Sequence, residues 1–196
     1  MNKTLFSLAV VAVSIHAEGL SQKDRDFTMS YLHATRKQVL DAVDGLTEAQ
    51  WKFKSADDRW SIAQVLEHIV LTERALLGMT QKVAASAPSP VPEASKLKDE
   101  VILKGVASRE KKVQAPEQLR PTGGLGTAES EVAQFKQTRD ATIDYVRSTT
   151  DDLRNHSSQS PMGQADCVQW LLYIGAHSER HLAQILEVKA DPKFPK

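Results

Sequence analysis

Cysteine is almost absent from this 196-residue chain, where Cys167 stands alone. One thiol closes no intrachain disulfide and builds no cysteine-rich zinc site, so it reads as a small buried apolar residue. Excess charge of either sign is missing too, since 25 basic residues balance 25 acidic ones. Without a basic surplus the chain lacks the electrostatic footprint that attracts nucleic acid or an anionic membrane surface, and nucleic acid is excluded as a partner. No segment alternates polar and apolar residues over the length of a strand, so no sheet is expected. No stretch approaches the roughly 20 apolar residues of a membrane span. Internal repeats are lacking, and "GGLG" at 123–126 has no strand before it and no Gly-Lys-Ser/Thr after it. It is a turn, not a phosphate cradle.

What remains is 41% hydrophobic and 26% charged, the composition of one globular domain with a sizeable core. The first 17 residues, "MNKTLFSLAVVAVSIHA", stand apart. Lys3 precedes an apolar run from Leu5 to Ile15, and small residues follow near Ala17. That layout is a secretory signal peptide, with cleavage at Ser14 or Ala17. The expectation is an exported protein, periplasmic or secreted, with its domain over residues 18–196.

Helical periodicity recurs in four long segments. The first covers residues 23–43, with Phe27, Tyr31, Thr35 and Val39 on one face and Gly45 as its stop. A short "TEAQW" turn follows, capped by Thr47 and anchored by Trp51. The second begins at Ser61, where Gln64 three residues on completes a capping box and Trp60 is placed as a staple. Its apolar stripe runs from Ile62 to Leu77, ahead of the breaker "SAPSPVPE". Residues 88–126 carry one short helix at most and read as a crossover connection. The third and fourth segments cover residues 128–148 and 165–188, separated by the polar loop "DDLRNHSSQSPMGQ". Four helices with one long crossover make an all-α four-helix bundle.

The fourth segment contains "HSERH". On a helix, His177 and His181 lie one turn apart on one face, and two imidazoles so placed converge on a single metal at about 2.0–2.1 Å per Zn–N bond. A third ligand must come from a neighbouring helix, and His68 is the histidine that the second helix offers. His16 falls in the signal segment, His156 in a polar loop, and His33 beside Ser30, Arg36 and Lys37 on a solvated face. This is not zincin chemistry, because Ser178 follows His177 where H-E-x-x-H requires its glutamate. Glu179 projects about 160–200° from the two histidines and cannot share their ion. Glu73 falls inside the apolar stripe and needs a buried partner, for which Arg36, Arg139 and Arg180 are candidates. Trp170 and Tyr173 are core residues that could also wall a pocket.

"RWSIAQVLEHIVLTERALLG", "LRPTG" and the distant "GAHSERHLAQI" together resemble the DinB/YfiT-like family of metalloenzymes, over about residues 27–186. The resemblance implies a four-helix bundle that holds a divalent transition metal, zinc or nickel, through three histidines. On this sequence those are His68, His177 and His181, the same three reached from spacing. Three neutral histidines leave an open coordination position, the arrangement of catalytic zinc. Metal-dependent hydrolysis of a small-molecule substrate is the first expectation, with no catalytic acid or base named. The resemblance also implies a thiol-dependent transferase or isomerase as the alternative, and a protein that only binds metal or a small ligand is the third. A homodimer stays open as an assembly. Ordinary histidine titration would place loss of the metal near pH 6.5.

Overall fold

Side-chain caps set the ends of helices whose apolar stripes the sequence displays. Residues 19–196 are described by a computed structural model, and the expected signal segment at 1–17 lies outside the described residues. In chain order the helices are α1 (Gln22–Val43), α2 (Glu48–Lys52), α3 (Ile62–Ala84), α4 (Asp99–Ala107), α5 (Ala128–Ser148) and α6 (Cys167–Lys189). Reciprocal capping boxes open three of them: Thr47 with Gln50, Ser61 with Gln64, and Asp166 with Gln169. Each box satisfies two of the backbone N–H groups that a helix start leaves unpaired. Gly45 follows α1 at φ +66°, a conformation that costs other residues strain, and turns the chain toward α2.

Helices α1, α3, α5 and α6 form the bundle, with α5 and α6 each packed against both α1 and α3. The crossover contributes α4, which lies along α6. Ile62, Val65, Leu66, Ile69, Phe135 and Ile185 fill one end of the core. Leu32, Ile143, Val146, Leu171, Leu172 and Ile174 fill the other. No helix among the described residues is long and apolar enough to cross a membrane.

Midway between these apolar layers sits a fully buried ion pair. Of the three arginines the sequence offers Glu73, Arg139 is the partner, reaching its two oxygens at 2.8 and 2.9 Å. The rest of the guanidinium donates to the Leu32 carbonyl, Thr35 Oγ1 and Ser178 Oγ, and Thr142 donates to Glu73. One network therefore joins all four bundle helices, with every strong donor met.

The loop after α5 corrects one expectation, because it contains a small antiparallel sheet. Strand β1 (Ser157–Ser160) pairs with β2 (Gly163–Asp166) around a turn at Pro161 and Met162. The hairpin has no apolar alternation because it buries almost no apolar face. Hydroxyls and backbone hold it instead: Trp170 Nε1 donates to Ser158 Oγ, and Ser89 Oγ donates to the Ser157 carbonyl. Arg154, just before β1, bridges Asp24, Asp99 and Asp166 at 2.6, 2.8 and 3.0 Å and ties together the starts of α1, α4 and α6.

Candidate metal centre

Helix α3 packs along α6, which brings His68 opposite the one-turn pair His177 and His181. Ring centroids lie 4.4 Å apart for His177 and His181, 4.7 Å for His68 and His181, and 5.1 Å for His68 and His177. One nitrogen from each lies within 4.8 Å of the others, a span that two Zn–N bonds of about 2.1 Å nearly bridge. His68 and His181 are buried and His177 is half-buried. The other two described histidines lie outside the cluster, His33 exposed and His156 buried near the hairpin.

Carbonyl oxygens orient two of the rings. His68 Nδ1 lies 2.7 Å from the Leu119 carbonyl, and His181 Nδ1 lies 2.9 Å from Gln184 Oε1. A carbonyl only accepts, so each Nδ1 carries the proton and each Nε2 keeps its lone pair for a metal. Arg109 donates to the same Gln184 oxygen, which fixes the orientation of that amide. This is the outer support that metal-binding histidines characteristically receive. The donor set and its tautomers fit a divalent transition ion such as zinc. Replacing Gln184 with Leu removes the support of His181 and is expected to lower zinc affinity about 10- to 100-fold with little change in fold. Competition against a chromophoric chelator measures it, and unchanged affinity would deny Gln184 that role.

The loop that supplies Leu119 is held from α3. Glu67, one residue before His68 and 2% exposed, accepts from the Gly123 and Gly124 amides at 2.8 and 3.0 Å and from Thr122 Oγ1. Gly123 sits at φ +79°, where a side chain would be strained. The glycine turn is thus a cradle after all, for a carboxylate of the chain itself rather than a phosphate. Sequence reasoning missed Glu67, Leu119 and Gln184 as supports; the one available signal was an acid buried in the stripe next to a candidate ligand.

Burial is the main reason that all three imidazoles stay neutral. It lowers His68, against a smaller opposing effect of the Leu119 bond. His181 is pushed down to about 3 by burial and by the charge of a protonated His68, and His177 falls well below its ordinary value for similar causes. Loss of metal by proton competition is therefore expected below pH 6.5, not at it. Stability carries the sign of the same shift. Below about pH 6.5 the unfolded chain takes up protons that the folded one refuses, so metal-free protein loses stability as pH falls. The expected cost is about 1.4 kcal/mol per pH unit for each histidine that stays neutral. Urea titrations of metal-free protein at pH 7.5 and 5.5 should show that loss, with a shallower pH dependence in His181→Ala. An equal dependence in both would remove His181 from the explanation.

Above the cluster Trp60 lies 4.9 Å from the His68 ring and 6.4 Å from His181, so the expected staple is also a wall of the site. Tyr173 stacks 6.4 Å from His177 and packs against Trp170, which makes the pocket wall foreseen for this pair. The three histidines line an apolar cavity of about 430 Å³ with Leu76, Val106, Met162 and Trp170. Among the described residues its one charged side chain is Arg180, and Glu179 does not line it.

A four-helix bundle with three histidines converging from two helices defines a class of protein, and comparison supplies its family. The DinB superfamily model matches residues 31–185, and the chain belongs to that superfamily. Among curated proteins it is similar to YuaE of Bacillus subtilis, an uncharacterized protein, at 25% identity over 162 residues, covering 82% of this chain and 96% of that one. Among solved structures it is similar to YfiT of Bacillus subtilis, with a TM-score of 0.58 and 14% identity over 88% of this chain and 89% of that one. YfiT is described as "a probable metal-dependent hydrolase with an unusual four-helix bundle topology". At that identity the likeness concerns the fold.

Proposed function

We propose that this chain is a metal-dependent hydrolase acting on a small-molecule ester or amide. The observation that carries the reading is the convergence of three neutral imidazoles, two of them oriented by carbonyl oxygens, at the wall of an apolar cavity. His68, His177 and His181 would hold a divalent ion, zinc or nickel, and leave at least one position facing that cavity. Such an ion supplies Lewis acidity to a carbonyl and a nucleophile from water near neutral pH. Apolar walls exclude bulk water and strengthen the charges inside. Arg180 supplies positive charge for an oxyanion developing at the substrate carbonyl. No carboxylate lines this cavity among the described residues, so no aspartate or glutamate is assigned as general base. The description of YfiT agrees with the reading. Export to the periplasm or medium belongs to the proposal on the strength of residues 1–17 alone.

The test is turnover of ester, amide and thiol-adduct substrates by untagged protein, before and after treatment with a chelator. Ester or amide hydrolysis that the chelator abolishes and zinc restores is the expected result. Turnover confined to thiol adducts would favour a transferase. Stoichiometric metal with no turnover on any class would leave a binding protein.

A further inference from the structure

Two cavities meet at His181, and their walls differ in chemistry. The inner one, about 430 Å³, is apolar and within the usual range of ligand pockets. The outer one, about 620 Å³, is lined by Arg59, Arg109, Lys112, Arg120 and Arg180 against one carboxylate, Asp58. His181 and Arg180 belong to both walls, together with Val113, Gln114 and Ala115 of the crossover.

Most of that positive charge is unmatched. Arg109 is clamped by Glu187 through two hydrogen bonds of 2.7 Å. Arg180 and Arg120 donate to the carbonyls of Lys111 and Ala115 and form no ion pair among the described residues. Arg59 and Lys112 form no ion pair among the described residues. In a chain with equal numbers of acids and bases, such a local surplus is not a by-product of composition. A concave wall of one sign focuses its field and concentrates ligands of the opposite sign.

We propose that the substrate is an anionic amphiphile, an ester or amide of an aryl or alkyl acid whose leaving half carries a carboxylate or phosphate. The apolar half fills the inner cavity, the anion reaches Arg59, Lys112 and Arg120, and the carbonyl lies between them beside His181. In the reaction, water adds its oxygen to the acyl carbon as the C–O or C–N bond breaks. One proton of that water ends on the alcohol or amine and the other leaves with the acid. The placement of the carbonyl rests on the hydrolase reading; the preference for an anionic amphiphile does not.

The experiment uses calorimetric titration of untagged, chelator-treated protein with 4-phenylbutanoylglycine, its uncharged primary amide and 4-phenylbutyl phosphate. At least one anionic probe should bind about 10-fold or more tightly than the amide, and added salt should shrink that difference. Arg59→Glu with Lys112→Glu should abolish it while affinity for the neutral amide survives. Whether carboxylate or phosphate binds more tightly identifies the anionic group. Equal affinities for all three probes, insensitive to salt, would overturn the proposal even if the charge-reversed protein failed to fold. If the wild type bound the anions preferentially yet took up no zinc when zinc was added back, the hydrolase reading would fail and this inference would stand.

Discussion

His181→Ala should retain less than a tenth of the zinc bound by the wild type and lose at least about 100-fold in hydrolysis. The side chain is one of the three proposed ligands, is 7% exposed, and has its proton placed on Nδ1 by Gln184. Its loss leaves two donors on different helices, which cannot close a zinc site. His68→Ala and His177→Ala should behave alike, because each removes one corner of the same triangle. His33→Ala, on an exposed face of α1, should leave both quantities within error of the wild type. Thermal stability of metal-free His181→Ala should fall far less than its activity, since the apolar layers hold the bundle. Zinc content and turnover measured on one untagged preparation check all of these together. Equal zinc in wild type and His181→Ala would separate the histidines from metal binding.

The largest loss of stability should come from Glu73→Ala, at about 3–5 kcal/mol. Arg139 is 0% exposed, and without Glu73 its charge keeps only neutral acceptors: Leu32, Thr35 and Ser178. Thr142 loses its acceptor as well, although it retains the Thr138 carbonyl. Removal of one member of a buried pair costs more than removal of both, since the survivor stays desolvated and unpaired. Glu73→Leu combined with Arg139→Met should therefore be more stable than Glu73→Ala. Urea unfolding of the two variants decides the point. A double variant no more stable than the single one would show that the network contributes through its shape rather than its charges.

Much of this molecule is legible in the sequence because its signals are local. The stripe from Ile62 to Leu77, the Ser61–Gln64 box and the glycine stop at Gly45 depend only on neighbours within a few residues, and each holds in the structure. The pair His177 and His181 is legible for the same reason, and His68 follows because α3 offers no other histidine. The supports of the site are not local. Leu119 approaches His68 across 51 residues, and the Gly123 amide reaches Glu67 across 56, so no window of the sequence displays either contact. The partner of Glu73 stays open among three arginines until the packing of α3 on α5 selects Arg139. The hairpin escapes a reading by hydrophobic period altogether, since serines and glutamines make up most of its strands and its partners are hydroxyls. The basic vestibule is assembled from three separate stretches around Arg59, Lys112 and Arg180, which is why balanced overall charge conceals it.

The central claim is that His68, His177 and His181 hold one ion through Nε2, with Nδ1 of His68 and His181 left on their carbonyl partners. Anomalous diffraction at the zinc absorption edge, from crystals of untagged protein grown with one equivalent of zinc, tests it most directly. The account predicts a single strong peak per chain, about 2.0–2.1 Å from the three Nε2 atoms, with the His68–Leu119 and His181–Gln184 contacts intact. A peak elsewhere, or one bound through Nδ1 with those contacts broken, would contradict it.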